Sequence, residues 1–171
     1  MNRRMMALVA MLGIVAPLVS TIGVKPVPLY LWNASESVPP GLYRLRPADT
    51  LFITELVAVV PPEPLAAFLA DGGYLPRGVP MLKRILALPG QTVCRSGATV
   101  SFNSIEIGKA QERDARGRSL PVWQGCRVIA QDEVFLMNWQ SAESLDGRYF
   151  GPIPASAVIA RALPIWTDEE D

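Results

Sequence analysis

The fold is organised around the stretch Met81-Leu-Lys-Arg-Ile-Leu-Ala-Leu-Pro-Gly-Gln91, an apolar run that stops abruptly at a Pro-Gly turn. Such a run is typical of a buried β-strand, yet it contains a lysine, Lys83. An ammonium group on a buried strand is costly unless its surroundings supply a partner or suppress its charge. A desolvated lysine that loses its proton near neutral pH can serve as a general base. Lys83 is therefore a candidate catalytic residue.

The composition of the chain narrows the chemistry further. Its 171 residues include no histidine, so Ser–His, Cys–His and histidine-ligated zinc mechanisms are excluded. If the protein is a hydrolase, its base must be a lysine or a carboxylate. The 16 basic and 16 acidic residues balance to a formal net charge of zero, with no basic patch that would indicate a nucleic-acid partner.

The N-terminal segment has the pattern of a membrane anchor. Arg3 and Arg4 precede Met5–Val24, a run without a charged residue that is long enough to cross a bilayer as a helix. The arginines predict a cytoplasmic N-terminus, with residues 26–171 on the outer side of the membrane. In a Gram-negative bacterium this is an inner-membrane protein with a periplasmic domain. The alternatives are a cleaved signal peptide and a soluble core helix.

The rest of the chain predicts a mainly β, antiparallel and partly closed architecture, because short apolar segments alternate with Gly/Pro turns. A short helix is expected near residues 63–71, where a proline-rich turn precedes Leu65–Ala70. A polar stretch, Gln111–Ser119, is predicted to be an exposed loop or hairpin tip. The principal predicted strands are Leu42–Leu45, Thr50–Val60, Val134–Met137 and Ala157–Ala160.

Two cysteines, Cys94 and Cys126, lie in the part of the chain that is predicted to be exported. An even number of cysteines in an oxidising compartment predicts a disulfide between them. Two buried free thiols are the alternative.

Two groups of polar residues lie near distinctive turns. Ser35 and Ser37 come just before the turn at Pro39-Pro-Gly41, which restricts the backbone firmly, although they also suit an ordinary loop. Later in the chain, Ser144, Asp146 and Arg148 alternate, so they share one face if the segment is extended. The alternative for this second group is a solvated loop with an Asp–Arg pair.

In their order along the chain, these motifs resemble the type I signal peptidases, which are membrane-anchored Ser/Lys proteases. The matching stretches are Ser37-Val-Pro-Pro40, Lys83-Arg-Ile-Leu-Ala-Leu-Pro-Gly90 and Ser144-Leu-Asp-Gly-Arg-Tyr-Phe-Gly151. The stretch Ser37-Val-Pro-Pro-Gly-Leu-Tyr43 is similar to the conjugative-transfer branch of that family, the TraF-type peptidases. The sequence departs from the general enzymes in three places: Val38 replaces a methionine, Met137-Asn-Trp139 replaces Gly-Asp-Asn, and Gly147 replaces a serine.

The resemblance implies a signal-peptidase fold and a set of roles. Ser37 would be the nucleophile and Lys83 the base. The Ser37 N–H and the Ser35 hydroxyl would donate hydrogen bonds to the oxyanion, and Ser144 would be the hydrogen-bond partner of the lysine amine. Asp146 with Arg148 would brace the loop, and no cofactor or metal is expected. The implied substrate is an exported precursor, foremost a conjugative pilin that is matured or closed into a ring. A general signal peptidase and a non-catalytic, membrane-anchored assembly protein are the alternatives.

Overall fold

The computed structural model describes residues 28–168 continuously, together with isolated positions 2, 5, 6, 11, 13 and 15. The membrane anchor predicted for residues 1–25, with its helix over Met5–Val24, therefore lies largely outside the described residues. Among the residues that are described, no helix combines the length and apolar character needed to span a bilayer.

Short strands dominate the described region. They are β1 (Tyr30–Asn33), β2 (Gly41–Arg46), β3 (Leu56–Val59), β4 (Met81–Ala87), β5 (Thr92–Ser96), β6 (Thr99–Phe102), β7 (Ile105–Lys109), β8 (Gly125–Val128), β9 (Glu133–Leu136), β10 (Ile153–Pro154) and β11 (Val158–Thr167). The helices are α1 (Leu65–Asp71), α2 (Gly147–Phe150) and a 3-10 turn (Ala155–Ala157).

The strands form two antiparallel sheets. The larger has the order β1-β2-β11-β3-β4-β9-β10, and the smaller has the order β7-β6-β5-β8. The prediction of a mainly β, antiparallel fold is confirmed, as is the short helix near residues 63–71. Strand β4, which carries Lys83, lies inside the larger sheet, between β3 and β9.

Apolar side chains cover both faces of the larger sheet. The face towards α1 packs through Val57, Val59, Leu65, Leu69, Ile85, Val134, Leu136, Ile153 and Ala157. The opposite face packs through Val38, Tyr43, Leu45, Leu56, Ala58, Leu82, Ala160 and Ala162. Because side chains alternate along a strand, Lys83 shares the α1 face with Ile85, while Arg84 lies on the other side with Leu82.

A third apolar cluster joins the two sheets through side chains such as Val93, Trp123 and Phe135. Within the smaller sheet, Cys94 on β5 lies directly opposite Cys126 on β8, and the two form a disulfide. Closing a loop with a sequence separation of 32 in this way stabilises the fold by roughly 3.7 kcal/mol on the chain-entropy model.

The sequence-based expectations for three elements were wrong in their extent or type. The strand predicted over Thr50–Val60 is only β3, because residues 52–55 turn: the Glu55 N–H donates to the Phe52 carbonyl, and Thr54 has a φ of 73°. The last strand is longer than Ala157–Ala160, since β11 continues alongside β2 as far as Thr167. The segment that would place Ser144, Asp146 and Arg148 on one extended face instead runs into the short helix α2.

Candidate active site

Lys83 is buried in the larger sheet and has one side-chain partner in the described structure. Only 4% of the residue is exposed, and its Nζ donates a 2.7 Å hydrogen bond to the hydroxyl of Ser144. The surroundings of Lys83 lower its pKa from 10.5 to about 8. Burial is the largest cause, because it disfavours the ammonium form. The Asp146 carboxylate raises the pKa, and the Arg148 guanidinium lowers it further. The amine therefore exists partly in its neutral form near physiological pH.

Ser37 lies in a short loop between β1 and β2 that Asn33 holds in place. The Asn33 side chain donates to the carbonyls of Ser35, Val38 and Pro39 at 2.8–3.2 Å. Its Oδ1 accepts from both the N–H and the hydroxyl of Ser35, at 3.1 and 2.8 Å. The side chain of Asn33, the last residue of β1, thus holds the loop by hydrogen bonds, which limits the positions that Ser37 can take.

Two further contacts fix the far end of this loop. The Tyr43 hydroxyl donates a 2.6 Å bond to the Pro39 carbonyl, and Val38 is buried in the sheet core. Gly41 follows with a φ of 147°, and a Cβ there would clash with the carbonyl oxygen of Trp166 on β11. A glycine is therefore required for the loop to enter β2 alongside β11.

The two candidate catalytic side chains open into the same cleft. Its volume is about 600 Å³, and its lining includes Ser35, Ser37, Lys83 and Ser144. The Ser37 and Ser35 hydroxyl oxygens are 3.1 Å apart, within hydrogen-bonding distance. The Lys83 amine donates to Ser144, which lines the same cleft. Catalytic hydrogen bonds are often formed only when the substrate binds, so this geometry is compatible with a Ser/Lys pair.

Asp146 and Arg148 are buried behind the cleft as an ion pair. The Arg148 Nε lies 2.9 Å from one carboxylate oxygen, and the same carboxylate caps α2 by accepting from the Arg148 N–H. The guanidinium also donates to the carbonyls of Ser141 and Ser144, at 2.6 and 3.0 Å. Together these bonds shape the loop that presents the Ser144 hydroxyl to Lys83.

Asn138 connects this loop to the lysine strand. Its side chain donates to the Leu82 carbonyl at 3.2 Å and accepts from the Arg84 N–H at 2.9 Å, so it binds the backbone on both sides of Lys83. Its own N–H donates to Asp146 at 3.0 Å. Asn138 therefore sets the distance between the strand that carries the amine and the loop that carries its partner.

The structure brings Ser35, Ser37, Lys83 and Ser144 to one cleft, and it places Asp146 and Arg148 directly behind that cleft. Cys94 and Cys126 lie apart, in the smaller sheet. Sequence reasoning did not single out Asn33 and Asn138 as positioning residues. Asn33 had a local signal, because an asparagine two residues before a serine commonly forms an Asx turn. Asn138 had none, since its partners on β4 lie more than 50 residues away in sequence.

Comparison with known proteins identifies the family of the chain. The family model described as signal peptidase, peptidase S26, matches residues 2–167, so the chain belongs to the S26 signal peptidase family. The resemblance inferred from the three motifs is confirmed, including its TraF branch. Conjugal transfer protein TraF of Agrobacterium fabrum (strain C58) is 33% identical over 152 residues, covering 81% of this chain and 82% of that protein.

Two other proteins extend the comparison. Plasmid transfer protein TraF of Escherichia coli is 33% identical over 145 residues, covering 79% of this chain and 81% of that protein. A solved signal peptidase I from Enterococcus faecalis V583 matches with a TM-score of 0.39 and 17% identity, covering 66% of this chain and 97% of that one.

Proposed function

We propose that this S26 family member is a serine endopeptidase that uses Ser37 as its nucleophile and Lys83 as its general base. The observation that carries the proposal is the position of Lys83: a buried lysine with a pKa near 8 in the cleft that also contains Ser37. A lysine that served only as a structural cation would gain nothing from burial, which penalises its charged form.

The proposed reaction has two balanced steps. As the Ser37 Oγ attacks the scissile carbonyl carbon, its proton passes to the neutral Lys83 amine, and a C–O bond forms. The C–N bond then breaks, and the leaving amine takes the proton from the Lys83 ammonium, which restores the neutral base. In the second step, water or an amino terminus attacks the ester carbonyl and gives a proton to the Lys83 amine. The C–O bond to Ser37 then breaks, Ser37 takes the proton back from the Lys83 ammonium, and the product is an acid or a new peptide bond.

The negative charge that develops on the carbonyl oxygen needs hydrogen-bond donors. We assign this role to the Ser37 N–H and the Ser35 hydroxyl. The Ser35 hydroxyl lies 3.1 Å from the Ser37 oxygen and is held by Asn33, so it is close to the reacting bond before the substrate arrives. Ser144 would orient the Lys83 amine, and the Asp146–Arg148 pair would hold Ser144.

The substrate and the location are further parts of this proposal. Relatives at about 33% identity are named as conjugal or plasmid transfer proteins, which favours a precursor of the conjugation apparatus, such as a pilin, over general signal peptides. The uncharged run Met5–Val24 behind two arginines supports a single-pass anchor in the inner membrane, with the peptidase domain in the periplasm.

The test is cleavage of a purified conjugative pilin precursor by the full-length chain in detergent. We expect wild type to produce a transient ester on Ser37, visible as an added mass on the intact protein after acid quenching. The variant Ser37→Ala should give neither adduct nor product, whereas Ser156→Ala, which changes an exposed serine outside the cleft, should behave like wild type. Equal cleavage by the Ser37→Ala variant would refute the proposal.

The mass of the product separates the two fates of the ester. Hydrolysis gives a linear product, and ring closure gives one lighter by a water molecule. Either outcome supports the Ser/Lys mechanism, because both proceed through the same acylated serine.

A further inference from the structure

The polar segment Gln111–Ser119, here called the polar strap, is folded around a single carboxylate. Oδ1 of Asp114 accepts from the N–H groups of Arg116 and Arg118, at 2.9 and 2.8 Å. The Asp114 N–H donates to the Arg118 carbonyl, and the Arg118 Nε returns a 2.7 Å bond to the carboxylate. An exposed loop that only connects two elements does not need so many bonds to one side chain.

The polar strap is attached to both walls of the cleft. On the α1 side, Arg118 donates to the carbonyl of Gly72, just after the helix. On the other side, the Gln111 N–H donates a 3.0 Å bond to the hydroxyl of Tyr149, which belongs to α2. The strap therefore links the helix at one wall to the segment that carries Ser144 at the other.

Tyr74 is the cleft residue that the polar strap holds most closely. Its hydroxyl donates a 2.5 Å bond to Asp114, and the Arg118 guanidinium lies 4.3 Å from the centre of its ring. Phe68 of α1 stacks on the ring at 5.7 Å between centroids. A tyrosine held at its hydroxyl and against its ring has little freedom to move when a substrate enters.

The Tyr74 ring stands between two cavities. It lines the cleft of about 600 Å³ that contains Ser37 and Lys83, and it also lines a cavity of about 230 Å³ under the polar strap. Glu143 and Leu145 line both cavities as well, so shortening the Tyr74 ring would enlarge the cleft towards the space behind it. A separate cavity of about 740 Å³ is also lined by Ser37, and its lining does not include Tyr74.

We propose that Tyr74, held in place by the polar strap, is a specificity-determining residue that limits the size of the substrate side chain accepted on one side of the cleaved bond. The inference rests on the proposed peptidase function. It follows from the two cavities that Ser37 lines, of which only the cleft of about 600 Å³ is also lined by Tyr74: a peptide that extends from the nucleophile into both cavities places only one of its flanks against Tyr74.

The experiment profiles cleavage of a degenerate peptide library, with the residues on each side of every cleaved bond identified by mass spectrometry. For the full-length Tyr74→Ala variant, we expect acceptance of Leu, Met and Phe relative to Ala to rise about tenfold or more at one position on one side of the bond. The Tyr74→Phe variant keeps the ring but loses its bond to Asp114, so a smaller shift at the same position is expected. Arg113→Ala, an exposed change within the strap, should leave the profile unchanged.

The outcomes separate this inference from the proposed function. If wild type cleaves no peptide of the library and no pilin precursor, the proposed function fails. If wild type cleaves but Tyr74→Ala lowers all rates equally, or changes both sides of the bond alike, Tyr74 is only structural and the inference is overturned. Thermal unfolding checks each variant, and Tyr74→Leu replaces Tyr74→Ala if the alanine variant does not fold.

Discussion

At Lys83, the surroundings act on the amine in opposite directions. Burial in the sheet disfavours the ammonium form, the Asp146 carboxylate favours it, and Arg148 disfavours it again. The outcome is a pKa of about 8, so roughly a tenth of the molecules carry a neutral amine at pH 7. This is the range in which a base can both accept the serine proton and return it to the leaving amine.

The first prediction concerns the pH dependence of the reaction. If Lys83 is the general base as proposed, its neutral amine is the active form, and kcat/KM for a cleaved peptide should rise as pH increases through about 8 and then level off. The measurement is kcat/KM between pH 6 and 9.5, with circular dichroism at each pH as the control for folding. A profile that is flat, or that falls with increasing pH in this window, would contradict the assignment of Lys83 as the base.

A second prediction follows for stability, with its sign determined by the lowered pKa. Between about pH 8 and 10.5 the unfolded chain binds the lysine proton and the native state does not, so wild-type stability rises with pH in that window. Below about pH 8, burying the charged ammonium lowers the free energy of unfolding by on the order of 3 kcal/mol. We therefore expect Lys83→Met to increase the free energy of unfolding at pH 7 by about 1–3 kcal/mol while abolishing activity.

Urea titration at pH 7 and pH 9.5 tests this effect. The gain from Lys83→Met should be smaller at pH 9.5, where the wild-type lysine has largely lost its charge. A variant that is less stable than wild type at pH 7 would show that the bond to Ser144 outweighs the cost of burial.

On the scale of an element, the loop from Asn138 to α2 depends on the Asp146–Arg148 pair. Both side chains are almost fully buried, and removing one charge leaves the other without compensation. We expect Asp146→Asn to lower the free energy of unfolding by about 3–5 kcal/mol, measured by urea titration. Glu63→Gln is the matched control: it disrupts a 2.7 Å pair with Arg77 that is exposed on both sides, and should cost under about 1 kcal/mol.

If the two variants lose similar stability, the buried pair has no special part in holding the loop. If Asp146→Asn is strongly destabilised, its residual activity per folded molecule still reports whether the carboxylate acts on Lys83 directly.

The elements that sequence could predict are those with local signals. The strand around Lys83 has a continuous apolar pattern, and the turn after Ser37 has the sequence Pro-Pro-Gly. The sequence therefore predicted the positions of this strand and this turn correctly. Ser144, Asp146 and Arg148 meet at one place, but they do so through a helix cap and not through the extended alternation that their spacing suggested. The apolar stretch before Glu55 looks like a strand, yet Phe52 and Ile53 are exposed because the chain turns there.

What the sequence could not reveal are contacts between distant segments. The bonds from Asn138 to β4 and from Asp114 to Tyr74 join positions separated by 40 to 56 residues. Neither asparagine nor aspartate in a loop predicts such a partner, because both residues satisfy local backbone groups equally well.

At the scale of the whole molecule, the disulfide and the candidate cleft lie in different parts of the fold. The disulfide lies in the smaller sheet, whereas every residue of the candidate cleft belongs to the larger sheet, to α1 or to the loops that join them. The strap from the smaller sheet reaches across to Tyr74 and Tyr149. The smaller sheet thereby shapes the cleft without providing its reactive groups.

The fourth prediction concerns the orientation of the molecule in the membrane. A reporter enzyme that works only outside the cytoplasm, fused after Asp171, should be active in the full-length chain and inactive when residues 1–25 are deleted. Membrane fractionation should recover the full-length fusion with the inner membrane. Recovery of a shortened protein that begins near Ile22 would show instead that the N-terminal segment is a cleaved signal peptide.

The central claim, that neutral Lys83 takes the proton of Ser37, is tested most directly by Lys83→Arg. Arginine has a similar reach and charge but cannot lose its proton, so it can replace a structural cation and not a base. The measurement is the rate of precursor cleavage by folded Lys83→Arg, with Ser37→Ala defining complete loss and Arg84→Ala, on the opposite face of β4, as the active control. We expect Lys83→Arg to be as inactive as Ser37→Ala; cleavage at a substantial fraction of the wild-type rate would contradict the Ser/Lys mechanism.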